Sequence, residues 1–297
     1  MKNICRLLML AAKRSRAITF LPEMVFCRAV LGSPNTIFSD GGYRLQSGVA
    51  YGDHPRQKLD VYHSNNPALA SPIIVFFYGG SWKSGHRSKY RFVADAWTRR
   101  GYTVAIPDYR LYPNVRFPAF MDDAASALRW IANNVADIER SKRPIFLVGH
   151  SAGAHIAALL SVDATYLLRH SLSPKDICGV IGLAGPYTLD PLKYRHTRSV
   201  FKYLNNRDDA RPVAQVTAAT PPFLLFHGED DVTVNPSNTI VFAKKISENG
   251  GSVEAVLLPD TGHYKIILAV ARPFDDIAPI NNRIANFIEQ HRGCRAA

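Results

Sequence analysis

Cysteine is sparse in this sequence. The four cysteines, Cys5, Cys27, Cys178 and Cys294, are far apart, form no Cys-x-x-Cys pair and have no histidine nearby at metal-ligand spacing. The pattern therefore indicates no metal site, and nothing else in the sequence calls for an organic cofactor. We expect four unpaired thiols in a reducing compartment, with disulfide pairing in a periplasmic or secreted setting as the alternative.

Long apolar runs are also missing. The run Leu7–Ala12 is interrupted by Lys13, Arg14 and Arg16. It is shorter than the roughly 7–15 apolar residues of a signal peptide and the roughly 20 of a membrane span. We therefore predict that residues 1–40 form a loosely packed basic extension, with an amphipathic segment on an anionic membrane surface as the alternative. A cytoplasmic location follows as the expectation, with periplasmic and membrane-associated locations as alternatives.

Acidic residues are too few to balance the basic ones. The chain has 36 Lys and Arg against 24 Asp and Glu, a formal charge of +12. Much of the excess lies within residues 1–31, and the rest is interspersed with acidic residues. Because a basic stripe interleaved with aromatic residues is missing, we predict no nucleic-acid partner and keep only weak membrane-surface contact through residues 1–31.

After residue 40, apolar β-type runs alternate with longer helical stretches, without an internal repeat or a linker. This alternation is typical of an α/β domain with a mostly parallel sheet and helices on both faces, which we place over residues 41–297. The first two runs flank the turn-rich GDHPR and predict an antiparallel hairpin, and the polar stretch 186–220 predicts short helices over the sheet edge. The predicted strands are 43–51, 57–62, 72–77, 102–107, 144–149, 177–183, 222–227 and 252–258, and the predicted helices are 88–100, 118–140, 151–160, 236–249 and 278–291.

The segment Gly149-His150-Ser151-Ala152-Gly153 is the strongest chemical signal. It follows an apolar strand and opens a helix, the context in which Gly-x-Ser-x-Gly forms a nucleophile elbow. The glycines remove side chains that would clash in the sharp turn. The helix N-terminus and the N–H of Ala152 favour a negative oxygen beside Ser151. The alternative is a Gly/Ser turn that only caps a helix.

A serine hydroxyl needs a base to take its proton and a third group to orient that base. In folds with this elbow, the acid follows the serine along the chain and the histidine follows the acid. Asp231, just past strand 222–227, is the predicted acid, and the loop residue His263 is the predicted base because the other later histidine, His291, ends a polar helix. Other acids remain alternatives to Asp231: Glu229, Asp230 and Asp190.

Together these motifs resemble the α/β-hydrolase superfamily, in particular its hormone-sensitive-lipase and feruloyl/acetyl-xylan-esterase-like branches. The resemblance runs from about residue 45 onward and rests on YGGSW (78–82), DYRL (108–111) with FPA (117–119), GHSAG (149–153), HGEDDVTV (227–234) and TGHY (261–264). It implies the α/β-hydrolase fold with a minimal lid. Such enzymes usually start the first motif with histidine, whereas this chain has Tyr78.

The resemblance also implies roles for individual residues. The main-chain N–H groups of Gly80 and Ser81 would complete an oxyanion hole with that of Ala152. The alternative for this segment is an ordinary Gly-Gly turn. Asp108 and Arg110 would be buried and paired beneath the active site rather than catalytic.

We expect a serine esterase that cleaves small carboxylic esters with short acyl chains through an acyl-enzyme. Three aromatic residues flank the motifs and are candidates for the substrate pocket, with core packing as the alternative: Trp82, Tyr187 and Tyr264. Two other functions stay open, an amide or formamide hydrolase similar to kynurenine formamidase and a non-catalytic ligand-binding relative.

Overall fold

The computed structural model describes residues 42–67, 71–136, 143–271, 274 and 278–294. The predicted extension over residues 1–40, with Cys5 and Cys27, lies outside this part of the chain. None of the helices in the described part combines the length and the apolar character that crossing a bilayer requires.

Eight strands form a single sheet in the order β1-β2-β4-β3-β5-β6-β7-β8. The pairs β1–β2 and β2–β4 are antiparallel, and all other neighbours are parallel. The predicted N-terminal hairpin and mostly parallel sheet are thus confirmed. The strands are β1 (Tyr43–Ala50), β2 (Lys58–Ser64), β3 (Ile73–Phe77), β4 (Thr103–Pro107), β5 (Ile145–His150), β6 (Gly179–Leu183), β7 (Phe223–Gly228) and β8 (Val253–Leu258).

Helices follow the strands as the alternating pattern predicts. Between β6 and β7, the polar stretch contains one short helix and two single 3₁₀ turns, Arg207–Ala210 and Pro212–Ala214, in line with the short helices predicted there. The α-helices are α1 (Arg91–Thr98), α2 (Ala119–Ile131), α3 (Ala152–Val162), α4 (Ala164–Leu168), α5 (Arg195–Arg198), α6 (Ser237–Glu248), α7 (Lys265–Leu268) and α8 (Ile280–His291).

Both faces of the central sheet are covered. Every residue of β3 to β7 is buried, and since successive side chains point to opposite faces, layers of structure must pack on each side. In one layer, Trp97 of α1 donates a hydrogen bond to Asn281 of α8, with 3.1 Å between Nε1 and Oδ1. This burial explains why the strands read as continuous apolar runs in the sequence.

The predicted helix over 118–140 is shorter in the structure. The α-helix ends at Ile131 and a π-type turn, Ala132–Ala136, follows it. Asn134 lies in this turn, and its side-chain amide donates to the carbonyl of Trp130 at 2.8 Å. Such a bond competes with the main-chain hydrogen bonds of an α-helix. The spacing of apolar residues alone does not predict this competition.

The expectation of four unpaired thiols is wrong for two of the cysteines. Cys178 and Cys294 form a disulfide, with Cα atoms 5.4 Å apart. Cys178 precedes β6 and Cys294 follows α8, so 116 positions separate the two along the chain. Spacing in the sequence could not indicate this pair because the contact arises only when α8 packs beside the amino end of β6.

Candidate active site

Ser151 stands on a sharp turn between β5 and α3. Its backbone has φ 55° and ψ −121°, a conformation that non-glycine residues rarely adopt and that stores strain at the elbow. A Cβ atom on Gly153 would lie 1.9 Å from the carbonyl oxygen of Phe77, and one on Gly149 would lie 2.3 Å from that of Gly153. The Ser151 side chain makes no capping hydrogen bond to α3, so the hydroxyl is left for other partners.

The structure brings three predicted residues together at the carboxyl ends of the strands. His263 Nε2 lies 2.9 Å from Ser151 Oγ, and His263 Nδ1 lies 2.7 Å from Asp231 Oδ2. Ser151 follows β5, Asp231 follows β7 and His263 follows β8. The parallel arrangement of these strands places the three loops at one edge of the sheet.

The alternative residues lie elsewhere. Glu229 and Asp230 are exposed beside Asp231. Asp190 is paired with Arg207 at the surface, where Oδ2 and Nη1 are 2.6 Å apart. The ring of His291 packs on Phe287 at the end of α8, with centroids 4.6 Å apart.

Asp231 is buried among hydrogen-bond donors. Its Oδ1 accepts the main-chain N–H groups of Thr233 and Val234 at 2.8 and 2.9 Å. Burial would raise the pKa of Asp231, but the hydrogen bonds from His227 and His263 outweigh burial and hold that pKa well below its ordinary value. The side chain is therefore a carboxylate at neutral pH, and it accepts from His263.

His227 also contacts Asp231, and the residues predicted from the sequence did not include it. It is fully buried, and its Nε2 lies 2.8 Å from the Val234 carbonyl and 3.3 Å from Asp231 Oδ2. Its Nδ1 is 2.7 Å from Thr239 Oγ1 in α6. The sequence held a signal for it, because His227 is the first residue of the HGEDDVTV segment that contains Asp231.

The loop after β3 approaches the elbow through its glycines. A Cβ atom on Gly79 would lie 3.0 Å from Ser151 Cβ, and one on Gly80 would lie 2.1 Å from the Ser84 carbonyl oxygen. Gly80, Ser81 and Trp82 all have positive φ, at 133°, 54° and 59°. Within the described residues, no acceptor is found for the main-chain N–H of Gly80 or Ser81. In the described part of the chain, the two amides without an acceptor thus directly follow Gly79, the residue at which the loop approaches Ser151.

Tyr78 braces this loop in place of the usual histidine. Its hydroxyl donates to Asp108 Oδ1 at 2.6 Å and accepts from Arg56 at 2.8 Å. Its ring stacks on Tyr90 and Tyr109, with centroids 5.3 and 4.9 Å away. The tyrosine therefore fixes the start of the loop through its ring and its hydroxyl, and its main-chain carbonyl accepts from the Tyr109 hydroxyl at 2.8 Å.

Asp108 and Arg110 are both paired, as the resemblance implied, but only Asp108 is buried and Arg110 is half-buried. Asp108 is 1% exposed and accepts hydrogen bonds from the main-chain N–H and the guanidinium of Arg87. Arg110 Nε donates to the buried Asp123 at 2.9 Å. These ion pairs lie beneath the loop that Tyr78 begins.

The three pocket candidates have different surroundings. Trp82 is buried, with its ring 4.9 Å from Phe201 in an edge-on contact. Tyr187 is fully buried and stacks on Phe242 of α6, so it is a core residue and not the wall of an open pocket. Tyr264 is half-buried and meets the His263 ring edge-on at 5.3 Å. The sequence could not separate these cases because aromatic residues after strands occupy both environments.

Comparison with known families agrees with this architecture. The BD-FAE family model matches residues 59–246, which include Ser151 and Asp231. The chain belongs to the BD-FAE family. BD-FAE proteins are α/β-hydrolase esterases, in line with the resemblance inferred from the motifs.

Curated relatives of this BD-FAE chain are similar at moderate identity. A probable isoprenylcysteine alpha-carbonyl methylesterase of Arabidopsis thaliana is 26% identical over 80% of this chain and 56% of its own length. The esterase LipC of Mycobacterium tuberculosis is 28% identical over 84% of this chain and 66% of its own length. The kynurenine formamidase of Danio rerio is 26% identical over 74% of each chain. The chain thus spans less than two thirds of the length of the first two relatives.

A solved structure shares the fold. A thermophilic esterase of Thermogutta terrifontis superposes with a TM-score of 0.68 at 24% identity, over 84% of this chain and 92% of that chain. The same esterase has been solved with butyrate bound. This likeness shows that the BD-FAE chain has the α/β-hydrolase fold predicted from its sequence.

Proposed function

We propose that this protein is a serine ester hydrolase with Ser151 as nucleophile, His263 as general base and Asp231 as the group that orients the base. The observation that carries the proposal is the continuous series of hydrogen-bond distances, 2.9 Å from Ser151 Oγ to His263 Nε2 and 2.7 Å from His263 Nδ1 to Asp231. The esterase relatives support the same reaction.

The mechanism follows from these positions. His263 Nε2 takes the proton of Ser151 as Oγ attacks the ester carbonyl, and the Asp231 carboxylate stabilises the imidazolium that forms. The main-chain N–H groups of Ala152, Gly80 and Ser81 hold the oxyanion, and losing one such donor would cost about 3–4 kcal/mol of transition-state stabilisation. His263 then protonates the leaving alcohol, and water hydrolyses the acyl-enzyme by the same steps.

We propose small esters with short acyl chains as substrates. Trp82, beside the free amides of the oxyanion loop, is closely packed by Phe201 and stacks on Phe120. Close packing around Trp82 favours a shallow acyl site next to this loop. Binding of butyrate by the Thermogutta terrifontis esterase supports the same size class.

The proposal is tested by fluorophosphonate labelling and by hydrolysis of p-nitrophenyl butyrate. Ser151→Ala and His263→Ala should each lose at least about 10⁴-fold in kcat, and Ser151→Ala should not be labelled. The matched control is Ser161→Ala, which removes a buried hydroxyl from α3, the helix that follows Ser151. That hydroxyl donates to the Ala157 carbonyl, and the variant should still be labelled. Labelling that survives in Ser151→Ala would overturn the site.

Hydrolysis of an amide or formamide is the second candidate function. The similarity to kynurenine formamidase supports it, since 74% of that chain is covered. Comparing kcat/KM for N-formylkynurenine with that for p-nitrophenyl acetate separates the two functions. Higher kcat/KM for the formamide would place the chain with the formamidases. A non-catalytic role is less well supported, because the distances from Ser151 to His263 and from His263 to Asp231 suit a nucleophile, a base and an acid.

The disulfide between Cys178 and Cys294 is relevant to the cellular compartment in which the protein is located. A bond between Cys178 and Cys294 is typical of proteins in oxidising surroundings, since cytosolic thiols are kept reduced. We therefore propose a periplasmic or secreted location in place of the cytoplasmic one expected from cysteine spacing.

A further inference from the structure

His150 is the last residue of β5 and directly precedes the nucleophile. It is 4% exposed, and its Nε2 lies 2.9 Å from the main-chain carbonyl oxygen of His263. A carbonyl oxygen only accepts, so His150 Nε2 must carry the proton and donate it. This bond joins the end of β5 to the His263 loop, which lies far away along the chain.

The His263 carbonyl differs from the carbonyls of its two neighbours in the hydrogen-bond donor that it accepts from. The carbonyls on either side of it, those of Gly262 and Tyr264, accept main-chain N–H groups of α7, from Ile266 and Leu268. The carbonyl of His263 accepts from the side chain of His150 instead. The residue that carries the general base is therefore tied to the elbow and not only to its own helix.

The opposite edge of the His150 ring faces the oxyanion loop. A Cβ atom on Gly79 would lie 3.1 Å from His150 Nδ1, so the ring fills the space between that loop and the His263 loop. Within the described residues, the buried Nδ1 has no hydrogen-bond partner. The ring therefore makes one polar contact, and replacing it by phenylalanine removes that contact alone.

The ring of His150 also stays neutral beside the base. Its centroid is 4.9 Å from that of His263. Burial, together with the nearby His263, lowers the pKa of His150 to about 3. A neutral ring adds no positive charge next to the imidazolium that forms on His263 during catalysis.

We propose that His150 is a positioning residue for the reaction, holding the main chain of His263 so that its imidazole stays within hydrogen-bonding distance of Ser151. The inference rests on the proposed function of Ser151 and His263. It assigns a role to the variable position of the Gly-x-Ser-x-Gly motif, which the elbow geometry by itself does not require.

The test replaces His150 in two ways and measures kcat and KM for p-nitrophenyl butyrate. His150→Phe keeps a planar ring but removes the donor, and we expect kcat to fall about 10- to 100-fold with KM changed less than about threefold, because small displacements of a base are costly. His150→Gln keeps an N–H donor four bonds from Cα and should recover kcat to within about fivefold of wild type.

His155 supplies the matched control. It is equally buried, its Nε2 lies 2.8 Å from the Ala210 carbonyl, and its Nδ1 also has no partner within the described residues. His155→Phe therefore deletes the same kind of bond, but to a carbonyl unrelated to the base. We expect a loss of thermal stability comparable to that of His150→Phe and a much smaller loss of kcat.

The outcomes are distinct. An unchanged kcat in His150→Phe, an equal defect in His150→Gln, or an equal kcat loss in His155→Phe would each overturn the positioning role. If His150→Phe does not fold, His150→Asn takes its place, because its shorter amide cannot reach the His263 carbonyl, and wild-type kcat in that variant would also overturn the role. Wild-type protein that neither hydrolyses esters nor reacts with fluorophosphonate would instead contradict the proposed function.

Discussion

Asp231 receives hydrogen bonds on both carboxylate oxygens. Two come from main-chain N–H groups of its own loop, to Oδ1, and one comes from His263, to Oδ2. With His227 also within 3.3 Å, the carboxylate is held in one orientation without freedom to rotate. At the scale of one residue, this arrangement selects the tautomer of His263 in which Nδ1 carries the proton and Nε2 faces Ser151.

Asp231→Asn should therefore lower kcat by about 10³- to 10⁴-fold with the fold retained, because an amide can donate to Nδ1 and stabilise the wrong tautomer. Steady-state kinetics with p-nitrophenyl butyrate, together with circular dichroism, provide the measurement. Asp190→Asn is the matched control, since Asp190 bonds Arg207 at the surface, and it should keep kcat within about twofold of wild type. A larger loss in Asp190→Asn than in Asp231→Asn would reverse the choice of acid.

The helix that follows the elbow, α3, lies almost in contact with the end of β3. Gly153 lies in the first turn of α3, and the atom nearest to a Cβ added there would be the Phe77 carbonyl oxygen. The oxyanion loop leaves β3 at this same point, so its position depends on how closely α3 approaches. At the scale of elements, this packing contact links the position of Ser151 to that of the loop that carries Gly80 and Ser81.

Gly153→Ala should displace that contact, because its Cβ would lie 1.9 Å from the Phe77 oxygen. We expect a loss of about 1–3 kcal/mol in the free energy of unfolding, as for other overpacked sites, and at least about 10-fold in kcat. Urea denaturation and ester hydrolysis measure the two effects. Gly293→Ala, where nothing lies within 4 Å of the added Cβ, is the control and should change neither.

The disulfide ties the end of the chain to the sheet, at the edge opposite the active site. Cys178 precedes β6, whereas Ser151 and the loops around it lie at the carboxyl ends of the strands. The bond closes a loop of 116 positions, and long loops give a crosslink a large effect on the unfolded chain. At the scale of the whole molecule, the disulfide stabilises the fold without contacting Ser151 or the loops around it.

Cys178→Ser should lower the free energy of unfolding by about 2–4 kcal/mol and leave kcat nearly unchanged. Urea denaturation with and without dithiothreitol measures this, and reductant should destabilise the wild type but not the double variant Cys178→Ser/Cys294→Ser. Equal stability of oxidised and reduced wild type would contradict a stabilising bond.

Buried neutral histidines should make the fold sensitive to mild acid. Burial lowers the pKa of His150 to about 3 and that of His155 to about 4, from 6.5 in the unfolded chain. As the pH falls below about 6.5, the unfolded chain binds protons that the folded chain does not, so stability is full above that pH and decreases below it.

Each such histidine should reduce the free energy of unfolding by about 1.4 kcal/mol per pH unit between pH 6 and the folded pKa. Urea denaturation of wild type and His155→Gln at about pH 7, 6 and 5 tests this, and the variant should have the shallower dependence. Identical slopes for the two proteins would show that His155 takes up its proton without unfolding.

Much of the fold was predictable because its signals are local. The apolar runs of β3 to β7 lie within about two residues of their predicted bounds and the periodic helices within about three, apart from α2, which is followed by a turn with a side-chain bond from Asn134. The parallel sheet then follows from alternation, since strands joined by helices run the same way.

The sequence by itself determined the α/β architecture and singled out Ser151, Asp231 and His263, because periodicity, glycine spacing and chain order are properties of short segments. Only the tertiary structure decided what those residues contact: the bond from His150 to the His263 carbonyl, the burial of Tyr187 and the pairing of Cys178 with Cys294. Each of these depends on the relative placement of elements that are distant along the chain. That placement is set by packing of the whole core and leaves no mark in any one segment.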